Sequence, residues 1–165
     1  MSAGATILLD LRATQWGRMV ADPAGLCRKA VSAALAVAGA PGGEVSIVLG
    51  DDEFIRALNR DHRGQDRPTN VLAFALETGG LSQPGPRLLG DIVLAYETTA
   101  REAEEFGRPL SDRLAHLVAH ATLHLVGHRH EAGPEAEAME RLEAEALARL
   151  GIADPYAMPA PAGAS

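Results

Sequence analysis

The chain has 165 residues, of which 47% are hydrophobic, so it is long and apolar enough for one globular domain and is not a disordered protein. Its net charge of −7 argues against a nucleic-acid binder that relies on bulk charge. A single cysteine, Cys27, excludes an intrachain disulfide. The first residues lack the pattern of a signal peptide, and no run approaches the ~20 apolar residues of a membrane span, so we expect a cytoplasmic location.

The first half of the chain predicts strands that alternate with helices. A strand, a helix, a strand, a helix, a polar loop, a strand, a Gly/Pro-rich loop and a strand are predicted, in chain order, at residues 5–11, 23–39, 44–50, 51–60, 61–70, 71–75, 79–87 and 88–95. Asp51 and Asp52 offer an N-cap for the second helix. The pattern indicates a sheet whose strands all come from this half.

The second half predicts helices only. They are expected at residues 96–106, 110–126 and 134–150, the last opened by Pro134 in its first turn. We therefore predict a single α+β domain at residues 1–150. Residues 151–165 are rich in Pro and Ala and are predicted to form a disordered tail.

Five of the six histidines lie between residues 116 and 130. His120 and His124 are one turn apart on one face of the predicted helix, so both imidazoles can reach one metal ion at about 2.1 Å. His116 shares that face, but it lies roughly 12 Å along the axis from His124 and cannot complete the same tetrahedron. A third ligand must therefore come from the chain beyond this helix.

Gly127 can supply the turn, since glycine readily ends a helix in a left-handed conformation, and it brings either His128 or His130 within reach. The string HATLHLVGHRH, residues 120–130, matches the metzincin zinc-protease pattern HExxHxxGxxH at every fixed position but one, and that pattern selects His130. The exception is Ala121, where the protease has its general base. The string predicts a zinc site with an open fourth position; ordinary surface and capping histidines are the alternative.

Three segments resemble the YbeY family of bacterial rRNA maturation endoribonucleases. The histidine string resembles the family's HxxLHLxGxxH. Residues 58–74, LNRDHRGQDRPTNVLAF, resemble its LNxx[YF]RxxDxPT[DN]VLSF, and residues 89–92, LGDI, resemble its GDI strand. The order and spacing also agree, so the resemblance covers roughly residues 40–145.

The resemblance implies a zinc-dependent, single-strand-specific endoribonuclease that acts in 16S rRNA 3′-end maturation and ribosome quality control. RNA and the small ribosomal subunit are the implied partners, without DNA or a membrane. The resemblance also implies a small mixed sheet packed by helices, with the metal-binding helix at the active site. It assigns one Zn²⁺ per chain to His120, His124 and His130, and the functional arginine to Arg63. Ni²⁺ and Cu²⁺ also suit three histidines.

The chain departs from the family pattern at several positions. Ala121, His62 and Ala73 stand where the family often has Gly, an aromatic residue and Ser, and His128-Arg129 replaces Tyr-Asp before the last histidine. The missing aspartate puts in doubt any support it gives to a metal ligand in the family, and Glu131 is a candidate for that role.

Residues 56–67 form a net-positive stretch, in which four arginines and two aspartates give a charge of +2. A guanidinium pairs with two phosphate oxygens, so we predict that Arg63 binds the scissile phosphate from the loop before the third strand. A surface salt bridge with Asp66 is the alternative. Further contacts with RNA are predicted for Arg60, Asn59 and Thr69. Asn70 and Asp91 are expected to fix loop and strand geometry.

Two other functions stay open at this point. One is a zinc peptidase, against which Ala121 counts, and the other is a non-catalytic metal- or RNA-binding factor on the ribosome. An open metal position that faces Arg63 would favour a hydrolase, whereas a fourth ligand from His128 or Glu131 would favour a structural metal. The sequence also leaves open whether water or the ribose 2′-hydroxyl attacks the phosphate.

Overall fold

The computed structural model describes residues 5–76, 88–128 and 133–157. Its elements are β1 (Ala5–Leu11), α1 (Gln15–Met19), α2 (Pro23–Val37), β2 (Gly43–Gly50), α3 (Asp52–Arg63), β3 (Val71–Ala75), β4 (Leu88–Ala95), α4 (Tyr96–Glu105), α5 (Leu110–Leu125) and α6 (Gly133–Arg149). Every predicted strand and helix is present, and only the end of α3 differs from its predicted bounds by more than two residues. The predicted Gly/Pro-rich loop at 79–87 lies outside the described residues.

The four strands form one mixed sheet in the order β1-β2-β4-β3. β1, β2 and β4 run parallel, and β3 pairs antiparallel with β4, with Val71 opposite Leu94 and Ala75 opposite Gly90. This confirms the predicted α+β class with a small mixed sheet. Because β3 is an edge strand, one of its sides is left to border a cavity.

The two faces of the sheet are covered by different helices. Along β4, Ile92 and Leu94 pack in the main core beneath α2 and α5, while Val93 and Ala95 pack with Ile55 of α3 on the other face. This follows from the alternation of side chains along a strand. No helix among the described residues has the length and apolar character needed to cross a membrane.

α5 lies between the sheet and α6. Its side chains Val118 and Leu125 pack in the core that includes the sheet, and Ala119 and Leu123 pack in a second cluster with Met139 of α6. Because both of these faces are held by apolar contacts, the remaining face of α5 has a fixed direction. That face carries the histidines.

α3 ends three residues later than predicted. The side chain of Asp51 accepts a hydrogen bond from the Phe54 backbone at 2.8 Å, and Gly64 caps the other end with a left-handed φ of 69°. The basic residues of the last turn interact favourably with the helix dipole. The prediction that Arg63 lies in a loop is therefore wrong, since it is the last residue of α3.

The sequence did not predict the short helix α1. Its Trp16 is fully buried, and the indole Nε1 donates to the Gly50 carbonyl at 2.9 Å, at the end of β2. A helix of five residues gives too short a pattern to show helical spacing. α1 therefore depends on this tertiary contact.

Candidate active site

His120 and His124 lie on the same face of α5, with ring centroids 4.7 Å apart and the rings nearly perpendicular. Both line a cavity of about 530 Å³ together with Arg63. We call this space the histidine cavity. Its other lining residues, from β3 and α5, are Val71, Ala73, Ala75, Ala121 and Leu125. The structure thus brings together two predicted metal ligands and the predicted phosphate-binding arginine.

The end of α5 has the turn that the sequence predicted. Gly127 has a φ of 102°, and the His128 backbone N–H donates to the Leu123 carbonyl at 3.0 Å. The third predicted ligand, His130, lies outside the described residues, as does Glu131. Within the three described ranges, no group of three or more metal-ligating side chains is close enough to hold an ion. The complete ligand set therefore stays a prediction.

A buried carboxylate lies behind His120. Glu143 of α6 is 0% exposed, and its Oε2 accepts from Nδ1 of His120 at 2.9 Å. Its Oε1 accepts from Nε2 of His116 at 2.5 Å and from the hydroxyl of Tyr156 at 2.6 Å. We call these four residues the Glu143 cluster. It joins the middle of α5, α6 and the segment after α6.

The charge of Glu143 is compensated by its hydrogen bonds. Burial raises the pKa of this carboxyl group, but the hydrogen bonds from His116, His120 and Tyr156 together hold it well below its ordinary value. Glu143 is therefore a carboxylate at neutral pH, which only accepts hydrogen bonds. Nδ1 of His120 is therefore the donor in this contact, and Nε2 is the ring nitrogen turned away from the carboxylate.

His116 is held from its other side by Arg113. The Nη1 of Arg113 lies 3.1 Å from Nδ1 of His116, and since a guanidinium only donates, Nδ1 is the acceptor. Arg113 also donates to Glu102 at 2.8 Å, and Glu102 accepts from the Asn70 amide at 3.0 Å. Both ring nitrogens of His116 are thus engaged, so it supports the site instead of ligating. Asn70 fixes geometry, as expected.

Tyr156 comes from the segment that the sequence predicted as a tail. The structure describes this segment to residue 157, and the Tyr156 ring meets the His116 ring edge-on at 5.5 Å between centroids. Burial, the hydrogen bond to Glu143 and its negative charge raise the pKa of Tyr156, so its hydroxyl keeps its proton and remains a donor. Residues 158–165 lie outside the described part.

Arg63 is exposed, and its guanidinium carbon lies 5.9 Å from the centre of the Phe74 ring on β3. Asp66, the alternative partner that the sequence suggested, pairs with Arg56, whose Nε lies 2.8 Å from the carboxylate. Arg63 is therefore placed at the histidine cavity while a neighbouring arginine takes up Asp66.

The remaining predicted RNA contacts occupy different environments. Arg60 is exposed, and its Nε lies 3.1 Å from Asp61. Asn59 is only 3% exposed and its amide donates to the Arg67 carbonyl at 2.9 Å, so its position supports a role in shaping the loop and gives no support to a direct RNA contact. Thr69 is half-buried between this loop and β3.

Glu143 and Tyr156 were missed from the sequence. A signal for Glu143 exists, because it lies four residues from Met139 and from Leu147, on the buried stripe of an amphipathic helix. A glutamate at such a position needs buried partners. Tyr156 has no comparable signal, since its partner lies 13 residues away in a helix that has already ended.

A second cavity, of about 570 Å³, adjoins the histidine cavity and shares Val71 and His120 with it. Its walls include Phe106, Arg113 and Tyr156. His120 therefore stands between two spaces, one bordered by β3 and Arg63 and the other by the end of α4 and the C-terminal segment.

Comparison with known proteins gives a consistent result. A family model described as Endoribonuclease YbeY matches residues 15–151. Endoribonuclease YbeY of Methylocella silvestris is 52% identical over 141 residues, which cover 84% of this chain and 78% of the relative. Endoribonuclease YbeY of Paramagnetospirillum magneticum is 44% identical over 161 residues, covering 94% and 98%.

A solved structure has the same fold. The solution structure of TM1509 from Thermotoga maritima aligns with a TM-score of 0.52 and 22% identity, covering 89% of this chain and 91% of that chain. At this identity the likeness concerns the arrangement of the elements alone.

Proposed function

Because the chain belongs to the YbeY family of endoribonucleases, we propose that it is a metal-dependent endoribonuclease that cleaves single-stranded RNA. We propose ribosomal RNA as the substrate, with a role in 16S rRNA 3′-end maturation and ribosome quality control. The small ribosomal subunit is then its partner and the cytoplasm its location. The family resemblance of residues 58–74, 89–92 and 120–130 supports these finer assignments.

One observation carries the proposal: Arg63 lines the same cavity as His120 and His124, although about 60 residues separate it from these two histidines in sequence. Phosphodiester cleavage needs a group that activates a nucleophile and a cation that stabilises charge on phosphoryl oxygens. The two imidazoles and the guanidinium provide side chains for both tasks. The adjoining cavity leaves room for RNA on the other side of His120.

The residues present fit a transition metal. Two imidazoles on one helical face suit Zn²⁺. The carboxylate behind His120 accepts from Nδ1 of that ring, so Nε2 is the nitrogen that would bind the ion. We propose that His120, His124 and His130 hold one Zn²⁺ per chain, with Ni²⁺ or Cu²⁺ as other metals that suit such ligands. When bound, the metal supplies a Lewis acid that lowers the pKa of water to about 7.

The protein's own residues bind and orient the RNA. The guanidinium of Arg63 presents a planar pair of N–H donors to two non-bridging oxygens of the scissile phosphate and stabilises the charge that develops there. Arg60 and Thr69 contact the RNA backbone on either side of Arg63. Asn59 acts on the same contacts through the loop it shapes, because its amide holds the Arg67 carbonyl.

A zinc peptidase is less well supported. Ala121 lines the histidine cavity at the position of the protease's glutamate and has no group that accepts a proton. A fourth protein ligand such as His128 or Glu131 would close the metal site and favour a structural metal in a non-catalytic factor. Variants of this histidine and of His124 distinguish that possibility from an enzyme.

The proposal is tested by cleavage of one RNA, single-stranded or annealed to its complement, by purified protein with chelator and after Zn²⁺ is added back. We expect cleavage of the single strand only, loss with chelator and recovery with Zn²⁺. His124→Ala should lose both the metal and cleavage, and His128→Ala, the matched control, should keep both. Metal loss in His128→Ala, or no cleavage by metal-loaded protein, would contradict the proposal.

A further inference from the structure

We infer that Glu143 is a positioning residue which, together with His116 and Tyr156, fixes the tautomer of His120 and so sets the affinity of the metal site. This inference rests on the proposed function, since it concerns a ligand of the proposed metal. It assigns a role to Glu143 and Tyr156, which neither the motifs nor the family resemblance singled out.

Three donors surround the carboxylate of Glu143. Glu143 is 0% exposed and receives hydrogen bonds at 2.9 Å from His120, at 2.5 Å from His116 and at 2.6 Å from Tyr156. A buried carboxylate without water needs such donors, because an unpaired charge there is costly. Each histidine must therefore turn an N–H toward Glu143, which is Nδ1 for His120 and Nε2 for His116.

This arrangement is held rigidly from the side of His116. His116 cannot rotate without losing the donor that Arg113 aims at its Nδ1 from 3.1 Å. Arg113 is itself held by Glu102, with side chains only 13% and 24% exposed. The carboxylate of Glu143 is thus fixed from behind, and it orients the ring of His120 toward the histidine cavity.

The segment after α6 contributes one of the three donors. Tyr156 lies beyond residue 151, where the match to the family model ends. Arg108 anchors this segment by donating to the Asp154 carbonyl at 2.9 Å, and the Tyr156 backbone N–H donates to the Asp154 side chain at 2.8 Å. The segment after α6 therefore takes part in the site, because its Tyr156 donates the third hydrogen bond to the Glu143 carboxylate.

The test uses the full chain and measures Zn²⁺ affinity by competition with a chromophoric chelator. Glu143→Gln keeps the shape but presents an amide that donates as well as accepts, and we expect affinity to fall by about 10–100-fold. Tyr156→Phe removes one of three donors and should give a smaller loss. Glu145→Gln, on the exposed side of α6, is the matched control and should not change affinity.

A second measurement separates positioning from simple stability. Long-range ¹H–¹⁵N spectra of the metal-free protein report which ring nitrogen of each histidine carries the proton. We expect Nδ1–H at His120 and Nε2–H at His116, and we expect His120 to lose its single tautomer in Glu143→Gln. A variant that only lowered the melting temperature, with affinity and tautomers unchanged, would overturn the inference.

The outcomes stay separate from those of the proposed function. If wild-type protein bound no Zn²⁺, the proposed metal site would fail, yet the tautomers of the metal-free protein would still test the cluster. If Glu143→Gln did not fold, Glu143→Asp, which keeps the charge but shortens the side chain, would replace it, with the same loss expected. Unchanged affinity in both Tyr156→Phe and the folded Glu143 variant would overturn the role of the cluster.

Discussion

Arg63 is held in place by secondary structure, because it is the last residue of α3 and its guanidinium lies 5.9 Å from the centre of the Phe74 ring. A residue whose backbone is fixed at the end of a helix needs less ordering when it binds a phosphate than one whose backbone lies in a mobile loop. Its position beside His120 and His124 makes it the residue whose removal should separate phosphate binding from metal binding.

Arg63→Ala should slow single-turnover RNA cleavage by about 10²–10³-fold, as expected for the loss of one group that stabilises developing charge. The bound metal should be unchanged, because Arg63 is not one of its ligands. Arg63→Lys should rescue poorly, since an ammonium keeps the charge but not the two-pronged donor. The rate and the metal content are measured on the same samples.

Arg56→Ala is the matched control, since Arg56 lies on the same helix and pairs with Asp66. It and Arg60→Ala should act on affinity, and more strongly at low salt, as general phosphate contacts do. Full cleavage by Arg63→Ala with metal bound would remove Arg63 from the mechanism.

Ala121 gives a prediction about specificity. It is 1% exposed and lines the histidine cavity, where a zinc protease has its glutamate, so the protein should not cleave peptides even when loaded with metal. Fluorogenic peptide libraries with and without chelator measure this directly. Chelator-sensitive proteolysis by pure protein would show that the cavity supports peptide hydrolysis without that carboxylate.

The contact between β3 and β4 depends on Gly90. Its φ is 151°, and a Cβ there would come within 2.2 Å of the Phe74 carbonyl oxygen and 2.9 Å of a Leu125 side-chain carbon. Since the Phe74 atom belongs to the backbone of β3, the strand itself must move to admit a side chain. β3 forms part of the wall of the histidine cavity, so a change that displaces this strand should alter both the stability of the fold and the shape of the site.

Gly90→Ala should lower the free energy of unfolding by about 2–4 kcal/mol, from backbone strain and overpacking together, and should also reduce cleavage by shifting β3. Gly39→Ala is the control: Gly39 also has a positive φ, 66°, but a Cβ there meets nothing within 4 Å. It should cost about 1–2 kcal/mol and leave cleavage unchanged. Urea denaturation of both variants decides, and equal losses would contradict the close-approach explanation.

The strands were predictable from sequence because each is a short apolar or alternating run between turn residues, and β3 and β4 have the predicted bounds. The end of α3 was not, because residues 61–63 are polar and lack a periodic apolar partner, while Gly64 ends the helix through its backbone conformation. Strand order depends on packing between distant segments, and the mixed sheet was expected only from the family resemblance.

The two histidines of the site were predictable because their spacing alone places them on one helical face. Glu143 was not identified, since its role depends on three donors from different elements. Tyr156 could not be found at all, because the hydrogen bond that uses it joins the C-terminal segment to α6 and leaves no periodic trace. Sequence patterns thus predicted the two histidines that line the cavity, and tertiary structure was needed to identify the residues that support them.

Cys27 reports on the integrity of the whole fold. It lies in the main core and is 0% exposed, and burial raises its pKa from 9.0 to about 12. The thiolate is the reactive form, so the native thiol should not react with a disulfide reagent at about pH 8. Reaction should follow the fraction unfolded in urea, and rapid reaction of native protein would contradict the packing around α2.

The same shift has a consequence for alkaline stability. Because the thiol of the unfolded chain ionises at lower pH than that of the folded chain, its contribution is fully present below its ordinary pKa of 9.0 and is lost as the pH rises toward about 12. Comparison of wild type with Cys27→Ala isolates this part, since other groups titrate equally in both. Between neutral pH and about pH 12, the free energy of unfolding of the variant should fall by less than that of wild type.

We propose that one metal ion held by His120, His124 and His130 makes this chain a ribonuclease. Stepwise addition of Zn²⁺ to metal-free protein, with bound metal and single-turnover cleavage of one single-stranded RNA measured at each step, tests it most directly. Cleavage should rise in proportion to bound Zn²⁺ and level off at one ion per chain, while the melting temperature increases as the ion binds. Full cleavage without bound metal, or no cleavage at one ion per chain, would contradict the claim.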